Sequence, residues 1–315
     1  KFIKRDINKS IIYLNEAAKY NYIPANNLLG DIFLDGQYVK RDVNLAIKYY
    51  SNSANQNDAK AQNNLGIIYL NILKDTKKAI DYFTLAANQN LSSAQFNLAY
   101  IYIEGINNQK NIDKGIKYLK IAADNGYSNA QHNMGYLYYV GKYFKQDINK
   151  AIHYFNYSAS QNNAMSLFYL AYIYYKGEFV KQNINKSIYY FNLSSIPESK
   201  FCLAVIYAKG LYINRNINLA ITLYINASNE YSYYAKNNLA IIYKNGFGVQ
   251  KNLSYAIVLF DEIISKNENA ISMYNLAHLY LFNEYFDDYL NKSIDLLIKS
   301  SLNFSPSIQL LSLVL

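Results

Sequence analysis

Tryptophan is absent, and cysteine, proline and histidine are nearly so: 315 residues hold one cysteine, three prolines and three histidines. Each scarcity removes a class of answers. A lone Cys202 excludes an internal disulfide framework and has no histidine aligned with it for nucleophilic catalysis. Of His132, His153 and His278, the first and last lie on first helices four units apart and no other His or Cys stands near them in the repeat register described below, so no metal, and no other cofactor, is expected. Pro24, Pro197 and Pro306 each sit just before a helical pattern, where a missing amide costs least, and no Pro/Ser-rich linker divides the chain. Apolar runs are short and broken by Asn and Lys, so none spans a bilayer. Gly246-Phe247-Gly248 has neither a strand before it nor a lysine motif after it, which excludes a phosphate loop. Asp287-Asp288 reads as solvated charge. Nothing here points to an enzyme.

What remains is a chain rich in Asn, Lys, Ile and Tyr, with 36 tyrosines and a net charge of +9. That bias looks like an AT-rich genome. Sequon triplets such as those at Asn8, Asn185 and Asn291 follow from it, and in these three the serine is the small residue of a repeat. The repeat itself is the dominant signal. The line A-Q-H-N-M-G-Y-L-Y-Y-V-G at Ala130–Gly141 recurs, opened each time by a small residue: Ala25, Ala61, Ala94, Ala130, Ser166, Ser199, Ala235, Ser272 and Ser307. Successive copies lie 33 to 37 residues apart. A second series lags by half a period: Ser10, Ala46, Ala79, Gly115, Ala151, Ser187, Ala220, Ala256 and Ser293. Self-similarity at this period means stacked supersecondary units.

Within each copy, apolar or small residues at positions 1, 5, 6, 8 and 9 form one helix stripe. A glycine then ends the helix (Gly36, Gly105, Gly141, Gly177, Gly210, Gly246), and Asp or Asn opens the next (Asp6, Asp42, Asp75, Asn111, Asp147, Asn183, Asn216, Asn252) as an N-cap. Each unit is therefore a helical hairpin. Position 6 is Gly or Ala in the first eight copies, which lets two helix backbones approach closely. Position 9, Tyr69 through Tyr280, belongs to the core.

The pattern A-x-x-x-L-G-x-x-Y, glycine, then K-D-x-x-x-A-x-x-Y-[YF]-x-x-A-A stands almost whole at Ala25–Ala54 and Ala130–Ala159. It resembles the Sel-1-like repeat family, a relative of the tetratricopeptide repeat, over nearly the entire chain. The resemblance implies an all-α, right-handed α-solenoid of about eight helix-turn-helix repeats with flanking half repeats, in one domain over residues 1–315. It also implies a non-enzymatic scaffold with first helices lining a concave face. The second copy departs from the pattern by lacking the loop glycine and three residues. The last copies, with Asn283 for glycine and Phe286-Asp287-Asp288 in the loop, are degenerate. Since Asp6 already occupies a cap position, the chain opens inside a second-type helix, as though the native N-terminus were missing. The compartment is thus open between lumenal or secreted and cytoplasmic.

Positions 3, 7 and 10 of each first helix share one further face, which by register with tetratricopeptide helices lines the groove. Copies three to six place Phe96, Tyr100, His132, Tyr136, Tyr139, Phe168, Tyr172, Tyr175 and Phe201 there. Position 4 adds Asn97 and Asn133, amides suited to holding the backbone of an extended peptide. Aromatic anchors flanked by amides are the material of binding hot spots, so a protein or peptide partner in the groove is the expected ligand. The rings packing against the next repeat is the bland alternative. A second surface is basic: Arg5, Arg41, Lys74, Lys110, Lys145, Lys181, Arg215 and Lys251 precede the caps and stack along one edge. Nucleic acid or an anionic membrane is a physical possibility there, though no nucleic-acid motif accompanies it. Two settings follow from the family resemblance. One is an adaptor or regulatory subunit of a membrane-associated complex such as one for degradation in the endoplasmic reticulum; the other is a bacterial secreted or periplasmic factor.

Overall fold

The computed structural model describes residues 7–210, 213–229, 233–267, 269–282 and 289–314. Arg5, Asp6, Asn283, Phe286, Asp287 and Asp288, to which the sequence assigns edge, cap and loop roles, lie outside the described residues. Eighteen α-helices and no strand are found among the described residues. Two compact units divide the chain, Lys1–Ser166 and Leu167–Leu315.

The first unit holds α1 (Ile7–Lys19), α2 (Ile23–Asp35), α3 (Val43–Ala54), α4 (Ala59–Asn71), α5 (Thr76–Asn88), α6 (Ser92–Glu104), α7 (Ile112–Asp124), α8 (Ser128–Val140) and α9 (Ile148–Ser160). The unit boundary falls inside α10 (Ala164–Lys176). The second unit continues with α11 (Ile184–Leu193), α12 (Pro197–Lys209), α13 (Ile217–Asn229), α14 (Tyr233–Asn245), α15 (Leu253–Asn267), α16 (Ala270–Leu281), α17 (Leu290–Ser301) and α18 (Ser305–Val314). Even-numbered helices are the first helices of the sequence repeat. In each unit a first helix packs on the second helix that follows it, and that one packs on the next first helix, as in α4–α5–α6 and α14–α15–α16.

Local chemistry sets these boundaries. Asp42, Asp75, Asn111, Asp147, Asn183, Asn216 and Asn252 each accept the amide of the residue three positions on, at 2.9–3.0 Å. The orphan donors of every described second-type helix from α3 to α15 are thus capped where the sequence places the caps. At the far end of α8, Gly141 adopts φ 73°, and its amide returns to Leu137 O at 3.0 Å. A side chain would be strained in that conformation. The second copy manages without glycine: Lys74 takes φ 58°, and the shortened loop closes with Asp75 N donating to Tyr69 O at 2.8 Å. Asn21, Asn57, Asn90 and Asn162 supply the positive φ at the turns between hairpins (56–65°), where Gly126 does so once. Asparagine is the side chain that visits this region at least cost.

Close approach at position 6 is visible directly. A Cβ added to Gly135 would lie 2.7 Å from Phe155 Cδ1, and one on Gly30 or Gly66 would meet Tyr50 or Phe83 at 2.6 Å. These rings are fully buried and cap the small residue of their own hairpin. Positions 1, 5 and 8 are core as the stripe requires: Ala130, Met134 and Leu137 are at most 8% exposed, and Ala235, Leu239 and Ile242 at most 6%.

Three expectations need correction. The prolines stand inside the first turns of α2, α12 and α18, where the amide is also unneeded. Ser10 is exposed, unlike its buried counterparts Ser187 and Ser293. Position 9 is buried only at Tyr102 and Tyr280; Tyr69, Tyr138, Tyr174, Tyr207 and Tyr243 are half-buried. Most of these rings close the hairpin's edge. Phe33–Tyr49, Tyr69–Tyr82, Tyr102–Tyr118, Tyr138–Tyr154 and Tyr174–Tyr190 stack with interplanar angles of 9–11°. Lys78, Lys114, Lys150 and Lys186 lie over the first ring of their pairs at 4.4–5.2 Å. That cation–π contact offsets the poor placement of a positive charge in a helix's first turn.

Candidate interaction face

The residues assigned to the groove lie on first helices, and the two units present them differently. In the first unit, Tyr100 on α6 and Tyr136 on α8 occupy the same register in adjacent repeats and are 52% and 39% exposed. Phe96, Asn97, His132, Asn133 and Tyr139 around them are half-buried. Position 3 turns inward to the packing. Phe96 tilts against Tyr127 at 5.3 Å, and His132 tilts against Phe155 at 5.7 Å while its Nδ1 shares a 2.9 Å hydrogen bond with Ser166 Oγ. Burial pushes the His132 pKa down to about 4, so the ring is uncharged near neutrality. Asn97 donates its amide to Asn63 Oδ1 at 3.0 Å, linking neighbouring repeats.

In the second unit, Phe168, Tyr172, Tyr175 and Phe201 are all half-buried. Phe168 stacks on Tyr172 at 6.1 Å and tilts onto Phe191 at 5.7 Å, whereas Phe201 tilts onto Tyr224 at 6.0 Å. The aromatic wall therefore separates by position: third-position rings are absorbed in hairpin packing, and seventh-position tyrosines are presented, most fully at Tyr100 and Tyr136. Cys202, next to Phe201 on α12, is half-buried with its thiol pushed up to about 12 by burial, which keeps it protonated and unreactive. Among the described residues, no His/Cys/Asp/Glu group is placed to hold a metal ion, and no helix is long and apolar enough to cross a membrane. The edge cations Arg41, Lys74, Lys110 and Lys145 in the first unit, and Lys181, Arg215 and Lys251 in the second, are exposed.

Position 2 is the set the sequence reading passed over. In the first unit it holds Asn26, Gln62, Gln95 and Gln131, none more than 6% exposed. Each accepts a hydrogen bond from an amide near the end of the next second-type helix: Asn52 to Asn26 (3.1 Å), Gln89 to Gln62 (2.8 Å), Asn125 to Gln95 (3.1 Å) and Gln161 to Gln131 (2.9 Å). Three also donate to a carbonyl eight residues back, at Ala54, Ala87 and Ala123. These side chains join successive repeats. A Gln or Asn at position 2, matched by another 26 to 30 residues later, was the available signal.

Comparison with known proteins agrees with this architecture. No curated protein sequence matches the chain. Among solved structures, c5321, a protective antigen of uropathogenic Escherichia coli displaying an SLR fold, superposes with a TM-score of 0.81 at 24% identity, covering 96% of this chain. The chain spans 66% of that protein's length. A Sel1 repeat protein from Oxalobacter formigenes gives a TM-score of 0.66 at 22% identity over 88% of this chain and 82% of its own. At these identities the likeness establishes fold. The Sel1 repeat profile matches residues 1–19, 23–58, 59–91, 92–127, 128–163, 164–195, 197–231, 234–266 and 270–284; the seven inner segments each hold one hairpin, and the first and last hold α1 and α16. With nine such matches running along nearly all its length, the chain belongs to the Sel1-repeat family, whose helical arrays are typically non-enzymatic scaffolds for protein interaction.

Proposed function

We propose that this chain is an adaptor that receives a segment of a partner polypeptide on the first-helix face of its repeats, with Tyr100 and Tyr136 as the principal anchors. The carrying observation is their exposure: two large rings at one register in consecutive repeats, beside half-buried Phe96, Asn97, Asn133 and Tyr139. Tyrosine brings large contact area and a polar tip at small rotamer cost. Preorganised helices hold the anchors, so little ordering cost falls on the scaffold when the partner binds. In the second unit the corresponding face, with Tyr172 and Tyr175, contributes a more recessed aromatic surface.

The test uses a displayed peptide library selected on the purified chain. Binders are expected to lose most of their affinity for Tyr100→Ala/Tyr136→Ala, with an unchanged unfolding midpoint and a shallow dependence on salt. Retained affinity in the folded double variant defeats the proposal. The exposed edge cations favour a second reading, an anionic partner such as nucleic acid or a membrane surface. That reading predicts binding that survives the tyrosine changes and falls steeply with salt.

A further inference from the structure

Two departures from the repeat meet in the second unit. Position 10 of the first helices is Leu34, Leu70, Ile103, Tyr139, Tyr175, Ala208 and Leu281, but Lys244 on α14; position 7 carries its one histidine at His278 on α16. Thirty-four residues apart, the two side chains face each other, with Lys244 Nζ 3.2 Å from His278 Nδ1. Lys244 is half-buried, and no carboxylate lies within ion-pair distance of it among the described residues. His278 is walled by Tyr274 at 6.1 Å and Phe282 at 4.6 Å.

A cation removed from water without a counter-charge is costly, and an imidazole nitrogen repays little of that. Burial lowers the Lys244 pKa, and burial together with the Lys244 charge lowers that of His278. An ammonium carries donors only, so His278 Nδ1 is the acceptor of the pair. With Nδ1 accepting, the ring proton resides on Nε2, which is left as a donor. The ammonium keeps two further donors beside aromatic walls, while the ring N–H points away from it. A carboxylate is therefore taken by Lys244 Nζ, through short charge-assisted bonds, with His278 Nδ1 holding the ammonium in place.

We propose that Lys244 and His278 form a carboxylate subsite on the first-helix face of residues 167–315, taking an acidic side chain or a chain terminus of a bound polypeptide. It shares no residue with the tyrosine face of the first unit, so the failure of either proposal leaves the other intact.

The experiment follows the three imidazoles of the full chain by long-range proton–nitrogen NMR, with His278 assigned through its loss in His278→Gln. The probes are Ac-Glu-NH2 for a side-chain carboxylate, Ac-Ala-OH for a terminal one and Ac-Gln-NH2 as the neutral control. A saturable shift of His278 is expected with one or both acids, with His132 unmoved and no response to the amide. Which acid binds assigns the source of the carboxylate. Affinity should fall about tenfold or more in Lys244→Met, the worth of one charge-assisted hydrogen bond; Lys244→Gln serves if the methionine variant unfolds. No saturable shift, an equal shift with sodium sulfate, or an undiminished response without Lys244 each overturns the proposal.

Discussion

The two halves of the chain solve one packing problem with different chemistry. In Lys1–Ser166 the second position of each first helix is a buried amide paired to another amide in the next helix. In Leu167–Leu315 the same position is Leu167, Lys200, Lys236, Met273 or Ile308. Leu167 and Met273 are buried, whereas Lys236 pairs with the half-exposed Glu262 at 2.5 Å. The halves differ again at position 6, which is Gly30, Gly66, Ala99 and Gly135 in the first and alanine at 171, 204, 240 and 277, then Ser312, in the second. The hairpin needs a small residue and a filled seam; how the seam is filled is open. Buried amides specify their neighbour's position, because an unpartnered one is penalised, while leucine or methionine accepts any neighbour of suitable volume.

Replacing residues across that contrast tests it. The largest effect is expected at position 6. Gly135→Leu should cost about 3 kcal/mol or more in urea denaturation, since Phe155 and the Ala151 carbonyl leave no room. Ala240→Gly in the second half should cost only about 1 kcal/mol, through helix propensity. Equal costs would mean that both halves share one helix spacing. Next comes the seam. Gln131→Leu removes one of the two 2.9 Å acceptors of Gln161, leaving Gly126 O, and should destabilise by about 1–3 kcal/mol. Lys236→Met, which breaks a partly exposed ion pair, should stay within about 1 kcal/mol. A neutral Gln131→Leu would show that the amide seam sets register without adding stability.

A pH-dependent difference should be smaller. His132 has its folded pKa lowered from 6.5 to about 4, so the unfolded chain binds the extra proton first. The stability it contributes is complete above about pH 6.5 and is lost as pH falls toward 4. His132→Phe should flatten that part of the urea-midpoint profile; an unchanged slope would place the acid sensitivity elsewhere. The smallest change is expected at the turns. Asn162→Gly or Asn90→Gly relieves a left-handed side chain and should gain about 0.5 kcal/mol in thermal melts.

Most of the fold was legible because repetition averages out noise. Caps, loop glycines and the stripe at positions 1, 5, 6 and 8 each recur, and a physical role filled many times over is hard to misread. The site was less legible for a matching reason. A ring at position 3 and a ring at position 7 look alike in sequence, yet Phe96 turns into the hairpin against Tyr127 while Tyr100 stays outside. Which way a side chain leans depends on the neighbouring repeat. The amides at position 2 escaped notice because a Gln in an Asn-rich chain reads as surface until its partner is seen. Lys244 and His278 could be picked out only by asking which residues break the register.

The stacked tyrosine pairs carry one consequence beyond packing. With no tryptophan to dominate the near-ultraviolet, the nearly parallel phenol pairs of the four hairpins from α4–α5 to α10–α11 make circular dichroism at these wavelengths a tally of closed units there. Partial unfolding from one end would then dim the signal in steps, one hairpin at a time.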